Sequence, residues 1–132
     1  MIDNNPNMST KRVLIVDDDP HICEVLSRYL RHMNYQPESV QDCYGVIEFF
    51  DRCTPDVVFL DIQLPVIDGV KILRLIKRMT PDVFVVMISG VATVETARQA
   101  LDQGAFDYVT KPFDLQRIAD ILRAIELSVN IA

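Results

Sequence analysis

Short apolar runs alternate along this chain with segments whose apolar residues recur at helical spacing. Residues 13–16, 57–60 and 83–88 are such runs, and a polar residue follows each of them. A strand that is apolar at consecutive positions is buried on both faces, as in a parallel sheet between two layers of helices. Helices between such strands favour the same arrangement, because each helix returns the chain to the start of the next parallel strand.

The pattern predicts five strands and five helices. Asp19 followed by Pro20, and Asp68 followed by Gly69, predict helix starts, while Gly104 predicts a helix end. The predicted strands are residues 13–16, 35–40, 57–60, 83–88 and 105–109. The predicted helices begin at Pro20, cover 42–52, about 70–79 and about 93–102, and begin again at Leu115. We therefore expect a three-layer, doubly wound α/β domain.

The 132 residues are enough for one domain with its own hydrophobic core. We predict a polar leader over residues 1–10, the domain over 11–128 and a tail over 129–132. The leader lacks the basic and apolar regions of a signal peptide. The longest apolar run, residues 83–88, is far shorter than the roughly 20 residues that span a bilayer. These features predict a cytoplasmic protein without a membrane segment.

Charge and cysteine content exclude other classes of site. The net charge of −6 is unfavourable for direct nucleic-acid binding, which depends on cations that replace counterions. Cys23, Cys43 and Cys53 are too widely spaced for a zinc site and odd in number for a disulfide framework, so we expect reduced cysteines. His21 and His32 are predicted to be exposed.

Polar side chains follow four of the five predicted strands. They are Asp17, Asp18 and Asp19 after the first, Asp61 after the third, Ser89 after the fourth and Lys111 after the fifth. The carboxyl ends of parallel strands share one edge of a sheet, so these groups should lie close together. Two carboxylates 4 Å apart repel by about 4 kcal/mol at an effective dielectric constant near 20. The cluster therefore predicts a bound cation, and oxygen ligands favour Mg²⁺ with positions open for a phosphoryl group.

Four motifs in this order identify a family. They are VLIVDDDP (13–20), VVFLDIQLPVIDG (57–69), VVMISG (85–90) and DYVTKPF (107–113). Over about residues 11–128 the chain resembles the receiver domain of two-component response regulators, the CheY-like family. The resemblance implies a flavodoxin-like (βα)5 fold with strand order 2-1-3-4-5. It also implies a signalling domain that catalyses only its own phosphorylation and slow autodephosphorylation.

The resemblance implies a role for each residue of the cluster. Asp61 would accept the phosphoryl group from the phosphohistidine of a sensor histidine kinase or phosphotransfer protein. Asp18, Asp61 and the backbone carbonyl of Gln63 would bind Mg²⁺ directly, and Asp17 would act mainly through metal-bound water. Lys111, joined to Pro112 by a cis bond in that family, would pair with a phosphoryl oxygen.

The resemblance also implies how the signal leaves the site. Ser89 and Tyr108 would form a switch in which the hydroxyl moves to the phosphate and the ring follows it inward. The surface of the fourth helix, fifth strand and fifth helix would then change, with homodimerisation as the expected result. Gln63 and Val91 stand where the family tunes hydrolysis of the acyl phosphate. The stretch 96–113 resembles receivers that precede an ATPase and a DNA-binding output, which would imply transcription regulation.

Two other classes stay open at this point. Asp17-x-Asp19 after the first strand also resembles the haloacid-dehalogenase phosphohydrolases, in which Asp17 would be the nucleophile. In that family Ser89 and Lys111 would bind phosphate, but no Gly-Thr follows Asp19 and the chain has no room for a cap domain. The second alternative is a receiver-like interaction module that is never phosphorylated.

Overall fold

The structure is a computed structural model that describes residues 11–64, 66–90 and 93–131. Its strands are β1 (Arg12–Val16), β2 (Gln36–Val40), β3 (Val57–Asp61), β4 (Phe84–Ser89) and β5 (Asp107–Thr110). Its helices are α1 (Pro20–His32), α2 (Cys43–Arg52), α3 (Gly69–Met79), α4 (Val94–Asp102) and α5 (Leu115–Ile131). The strands form one parallel sheet in the order β2-β1-β3-β4-β5, which confirms the predicted fold class and strand order.

The sheet separates two hydrophobic clusters, one under each helical layer. The first cluster joins the sheet to α1 and α5, and the second joins it to α2, α3 and α4. The first includes Val13, Ile15, Leu26, Leu30, Phe59, Ile118 and Leu122. The second includes Leu14, Val16, Phe49, Leu60, Ile72, Met87 and Ala100. Burial on both faces explains why the strands are apolar at consecutive positions.

Strand alternation determines which polar residues meet beyond the sheet. Val13 and Ile15 belong to the first cluster, and Asp17 continues their alternation two residues further along. Asp61 likewise follows Phe59, and Lys111 follows Val109, both members of the first cluster. The two carboxylates and the amine therefore lie on the same side of the sheet as the first cluster, so they can meet at one edge.

Two predicted helix starts are confirmed as side-chain caps. Asp19 Oδ1 accepts a hydrogen bond from the His21 amide at 2.9 Å, and Asp68 Oδ1 accepts one from the Val70 amide at 2.8 Å. Gly104, predicted as a stop, has a φ of 105°, a conformation that favours glycine. No helix in the described part of the chain is long and apolar enough to cross a membrane.

Element boundaries differ from the prediction by one or two residues. β5 begins at Asp107 and not at Ala105, because the Ala105 amide bonds the Ala100 carbonyl at the end of α4. β4 begins one residue late because the Val83 amide bonds the Thr80 carbonyl. α5 continues to Ile131, so three residues of the predicted tail over 129–132 belong to this helix.

The leader over 1–10, Pro65, Val91 and Ala132 lie outside the described residues. All three cysteines are free, as predicted. The side chain of Cys23 is buried, and its Sγ donates to the Asp17 carbonyl at 3.3 Å. His21 and His32 are exposed, also as predicted.

Gly69 allows α3 to start directly against the end of β3. A Cβ atom at Gly69 would lie 2.4 Å from the Asp61 carbonyl oxygen and 2.6 Å from the Ile62 Cα. The Gly69 amide donates to the Ile62 carbonyl at 2.8 Å, which requires this close approach. Any larger residue would push the helix away from the strand that carries Asp61.

We predict that Gly69→Ala lowers the free energy of unfolding by about 1–3 kcal/mol, since the added methyl meets backbone that cannot move aside. Gly90→Ala is the matched control, because a Cβ at Gly90 meets no atom within 4 Å. It should change stability by less than about 0.5 kcal/mol. Urea unfolding of both variants measures the difference, and equal effects would contradict this account of Gly69.

Candidate functional site

The ammonium group of Lys111 lies between two buried carboxylates. Lys111 Nζ is 2.8 Å from Asp17 Oδ2 and 3.3 Å from Asp61 Oδ2. Asp17 is 1% exposed and Asp61 is 3% exposed, whereas the Lys111 side chain is 20% exposed. One cation thus faces two anions in a site largely shielded from solvent, where charge interactions are stronger than in water.

The second oxygen of each buried carboxylate accepts a backbone hydrogen bond. Asp17 Oδ1 accepts from the Asp19 amide at 2.9 Å, and Asp61 Oδ1 accepts from the Gln63 amide at 2.9 Å. Both bonds join residues two positions apart, as in an Asx turn. They leave the Oδ2 atoms of Asp17 and Asp61 directed toward Lys111.

Burial and neighbouring charges shift the pKa values of this site. Burial, with a further contribution from the negative charge of Asp17, raises the pKa of Asp61, although the Gln63 amide and Lys111 act in the opposite direction. Burial alone would lower the pKa of Lys111, but its contacts with Asp17 and Asp61 raise that pKa overall. Lys111 is therefore charged at neutral pH, while the ionised form of Asp61 is held at an energetic cost.

Asp18 completes a group of oxygens that could hold a cation. Carboxylate oxygens of Asp17, Asp18 and Asp61 lie within 4.8 Å of one another, and Asp18 is exposed whereas the other two are buried. Asp17 Oδ2 is buried and, apart from its ion pair with Lys111, has no hydrogen-bond partner among the described residues. An all-oxygen donor set with an open side fits a hard divalent cation such as Mg²⁺. The residues present thus fit the predicted metal.

Ser89 and Tyr108 lie on the side of the sheet that faces α4. Ser89, at the end of β4, is fully buried, and its carbonyl accepts a hydrogen bond from the Lys111 amide at 2.7 Å. Tyr108 on β5 pairs with Met87, which lies two residues before Ser89 on the same face. The ring of Tyr108 is partly buried against the second cluster. The predicted switch residues are therefore neighbours on one face of adjacent strands.

Sequence patterns did not reveal every residue that shapes this region. Arg117 Nη2 on α5 lies 3.1 Å from Asp107 Oδ1 and 3.3 Å from the Tyr108 carbonyl, so it holds the backbone of β5. The hydroxyl of Thr96 on α4 is 3.4 Å from that of Tyr108. Neither residue directly follows a strand, so the pattern of polar residues at strand ends does not identify them.

The model of the response regulator receiver domain family matches residues 13–123. The chain belongs to this family. It is a receiver domain of two-component signal transduction, and receiver domains are signalling domains. The Lys111–Pro112 bond is cis, as the resemblance implied.

Curated relatives include larger regulators of bacterial origin. The receiver is 39% identical to the nitrogen assimilation regulatory protein NtrX of Azorhizobium caulinodans, over 86% of this chain and 26% of that protein. It is 37% identical to the regulatory protein AtoC of Escherichia coli, over 88% of this chain and 25% of that protein. The chain therefore spans about a quarter of the length of these two relatives.

Solved structures agree with the family. The solution structure of the beryllofluoride-activated NtrC4 receiver domain dimer superposes with a TM-score of 0.83 at 34% identity. That comparison covers 89% of this chain and 98% of the other. The comparisons give no support to a haloacid-dehalogenase phosphohydrolase with Asp17 as nucleophile, nor to a module that is never phosphorylated.

We predict that Asp61→Asn raises the free energy of unfolding in metal-free buffer at neutral pH by about 1 kcal/mol. The pKa of Asp61 is raised by folding, so the ionised carboxylate destabilises the folded state above that pKa, and the effect disappears as pH falls below it. The neutral amide removes the cost of burying a charge and, to a lesser extent, the repulsion from Asp17, although it also loses attraction to Lys111. Asp51→Asn, on the exposed surface of α2, is the control and should change stability by less than about 0.5 kcal/mol. Thermal unfolding in EDTA provides the measurement, and a destabilised Asp61→Asn would contradict the charge argument.

Proposed function

We propose that Asp61 is the residue on which this receiver carries its phosphoryl group. The observation that supports the assignment is the contact of Lys111 Nζ with Asp61 Oδ2 beside the oxygens of Asp17 and Asp18. Asp61 is a better acceptor than Asp17, because the Asp17 side chain is 1% exposed and its Oδ2 is fully covered. The Asp61 side chain retains 5% exposure.

In the proposed reaction an oxygen of Asp61 attacks the phosphorus of a partner's phosphohistidine. The new O–P bond forms as the P–N bond breaks, and the electron pair of that bond leaves with the imidazole. The product is an acyl phosphate on Asp61, which water later hydrolyses to the carboxylate and inorganic phosphate. The donor is a sensor histidine kinase or phosphotransfer protein.

Lys111 contributes charge and position to this transfer. Its ammonium already lies 3.3 Å from Asp61 Oδ2, so it can pair with a phosphoryl oxygen bound there with little movement. The Gln63 amide holds Asp61 Oδ1 and so orients the carboxylate. Ser89, buried at the end of β4, supplies the hydroxyl that would bind another phosphoryl oxygen.

We assign Asp18, Asp61 and the backbone carbonyl of Gln63 as direct ligands of Mg²⁺, with Asp17 acting through water. When bound, the ion would neutralise the charge that accumulates on the phosphoryl oxygens.

Mg²⁺ at ten times its dissociation constant should raise the free energy of unfolding of the wild-type domain by about 1.4 kcal/mol. Asp18→Ala should abolish most of that gain. If millimolar Mg²⁺ leaves the melting temperature unchanged, the assignment of these Mg²⁺ ligands is wrong.

The decisive test is phosphorylation by radiolabelled acetyl phosphate with Mg²⁺. Wild-type protein should acquire acid-stable, base-labile label, and Asp61→Asn should acquire none because an amide is not the required nucleophile. Asp19→Asn is the matched control, since asparagine can still cap α1, and it should label like wild type. If Asp61→Asn is labelled at the wild-type rate, the assignment is wrong and Asp17 becomes the candidate.

Phosphate on Asp61 would be read through Ser89 and Tyr108. We infer that the hydroxyl moves to the phosphate and the ring follows it, which changes the surface formed by α4, β5 and α5. A receiver dimer of 34% identity in the beryllofluoride-activated state supports homodimerisation as the outcome. Sedimentation of the domain with and without beryllofluoride should show the change in mass. If beryllofluoride is bound but the mass is unchanged, homodimerisation is not the output of this receiver and another surface carries the signal.

The larger relatives suggest the wider context. Because the chain covers about a quarter of NtrX and AtoC, and other relatives are named transcriptional regulatory proteins, we infer that a receiver of this type controls an output region that regulates transcription. Nucleic-acid contact would then belong to that region, since the receiver itself has a net charge of −6. A location in the cytoplasm stays a prediction.

A further inference from the structure

Helix α4 has few attachments to the rest of the receiver. Of its nine residues, all within the described part of the chain, only Ala100 is buried. Val94 and Leu101 on the same helix are 76% and 47% exposed. Little apolar area therefore holds α4 in place, so a single polar contact can be a substantial part of its attachment.

Thr96 connects the start of α4 to the proposed switch residue. Its hydroxyl donates to the Thr93 carbonyl at 3.0 Å and accepts from the Thr93 amide at 3.2 Å. The Thr96 amide in turn donates to Thr93 Oγ1 at 3.1 Å, which completes a capping box. The Tyr108 hydroxyl lies 3.4 Å from the same Thr96 oxygen, at the long end of hydrogen-bond distances, and either hydroxyl can be the donor. Thr93 Oγ1 also lies 3.0 Å from that oxygen.

The backbone of Tyr108 is held independently of its ring. The Tyr108 amide donates to Asp107 Oδ1 at 2.7 Å, and Arg117 on α5 donates to the Tyr108 carbonyl at 3.3 Å. The ring can therefore turn about its side-chain bonds while β5 stays in the sheet. An inward turn would separate the Tyr108 hydroxyl from Thr96, whereas the capping box could remain intact.

We propose that Thr96 is a positioning residue that stabilises the outward position of the Tyr108 ring. This inference rests on the proposed function, in which Tyr108 moves inward when Asp61 is occupied. Each contact that favours the outward ring opposes the active arrangement by the same free energy. Thr96 therefore sets how much phosphate or phosphate mimic is needed to change the output surface.

The experiment follows the Tyr108 ring directly in the full chain. The protein contains four tyrosines, so fluorotyrosine labelling gives few ¹⁹F resonances, and Tyr108→Phe identifies the one from Tyr108. Beryllofluoride with Mg²⁺ is the titrant. Thr96→Val, which keeps the shape but removes the hydroxyl, should lower the half-saturating beryllofluoride concentration about twofold, because a 3.4 Å contact between hydroxyl oxygens is a long and therefore weak hydrogen bond. Its Tyr108 resonance should start closer to the position of the saturated wild-type protein.

Two variants separate the contact with Tyr108 from the stability of the start of α4. Thr96→Ser keeps the hydroxyl and should behave like wild type. Glu95→Ala removes the exposed acidic residue of the first turn of α4, which weakens the helix start while the Thr96 hydroxyl is retained, and it should leave the half-saturating concentration unchanged. A similar shift in Glu95→Ala, or none in Thr96→Val, would overturn the proposal.

A double-mutant cycle gives the final criterion. In a Tyr108→Phe background, followed by amide resonances, Thr96→Val should have no further effect on beryllofluoride binding. An undiminished effect there would also overturn the role of Thr96. Failure of the proposed function is distinguishable, because wild-type protein would then show no Tyr108 shift, or Asp61→Asn would bind beryllofluoride as well as wild type does.

Discussion

The ion pairs of Lys111 make it possible to bury two carboxylates at the edge of this sheet. Asp17 and Asp61 would repel each other strongly in a site so shielded from water, and the ammonium between their Oδ2 atoms offsets much of that repulsion. The compensation is incomplete, because burial and, to a lesser extent, the charge of Asp17 still raise the pKa of Asp61. A site with residual negative charge and one fixed cation is suited to bind a divalent ion and then a phosphoryl group. An affinity for those ligands would derive from the same electrostatics that limit the stability of the unliganded domain.

The fold delivers these three groups by simple geometry. Parallel strands end at a common edge, and alternation along β1, β3 and β5 gives Asp17, Asp61 and Lys111 the same direction beyond that edge. Gly69 allows α3 to begin against the carbonyl of Asp61, so the loop after β3 stays close to the site. The geometry of the site therefore depends on strand register and on the absence of a side chain at Gly69 as much as on the charged residues.

Local patterns in the amino-acid sequence predicted the strands and the polar edge, whereas the strand order was predicted from the resemblance to the receiver family. Apolar runs identify buried strands, and the residues after them identify the edge, as Asp61 after Leu60 illustrates. The boundaries of the elements were predicted less accurately, because the start of β5 depends on the hydrogen bond from the Ala105 amide to the end of α4. The close approach at Gly69 and the contact of Thr96 with Tyr108 depend on how separate elements pack, and no local pattern encodes that distance.

The small buried surface of α4 has a consequence for the local stability of the domain. A helix in which Ala100 is the one buried residue can detach or shift at a free-energy cost well below that of global unfolding, while most of both core clusters stays packed. The amides of α4 should then exchange with solvent through sub-global openings that leave β1, β3 and β4 protected. Such a domain contains two cooperative units of unequal stability, and substitutions in the weaker unit can accumulate with little effect on the melting temperature of the whole.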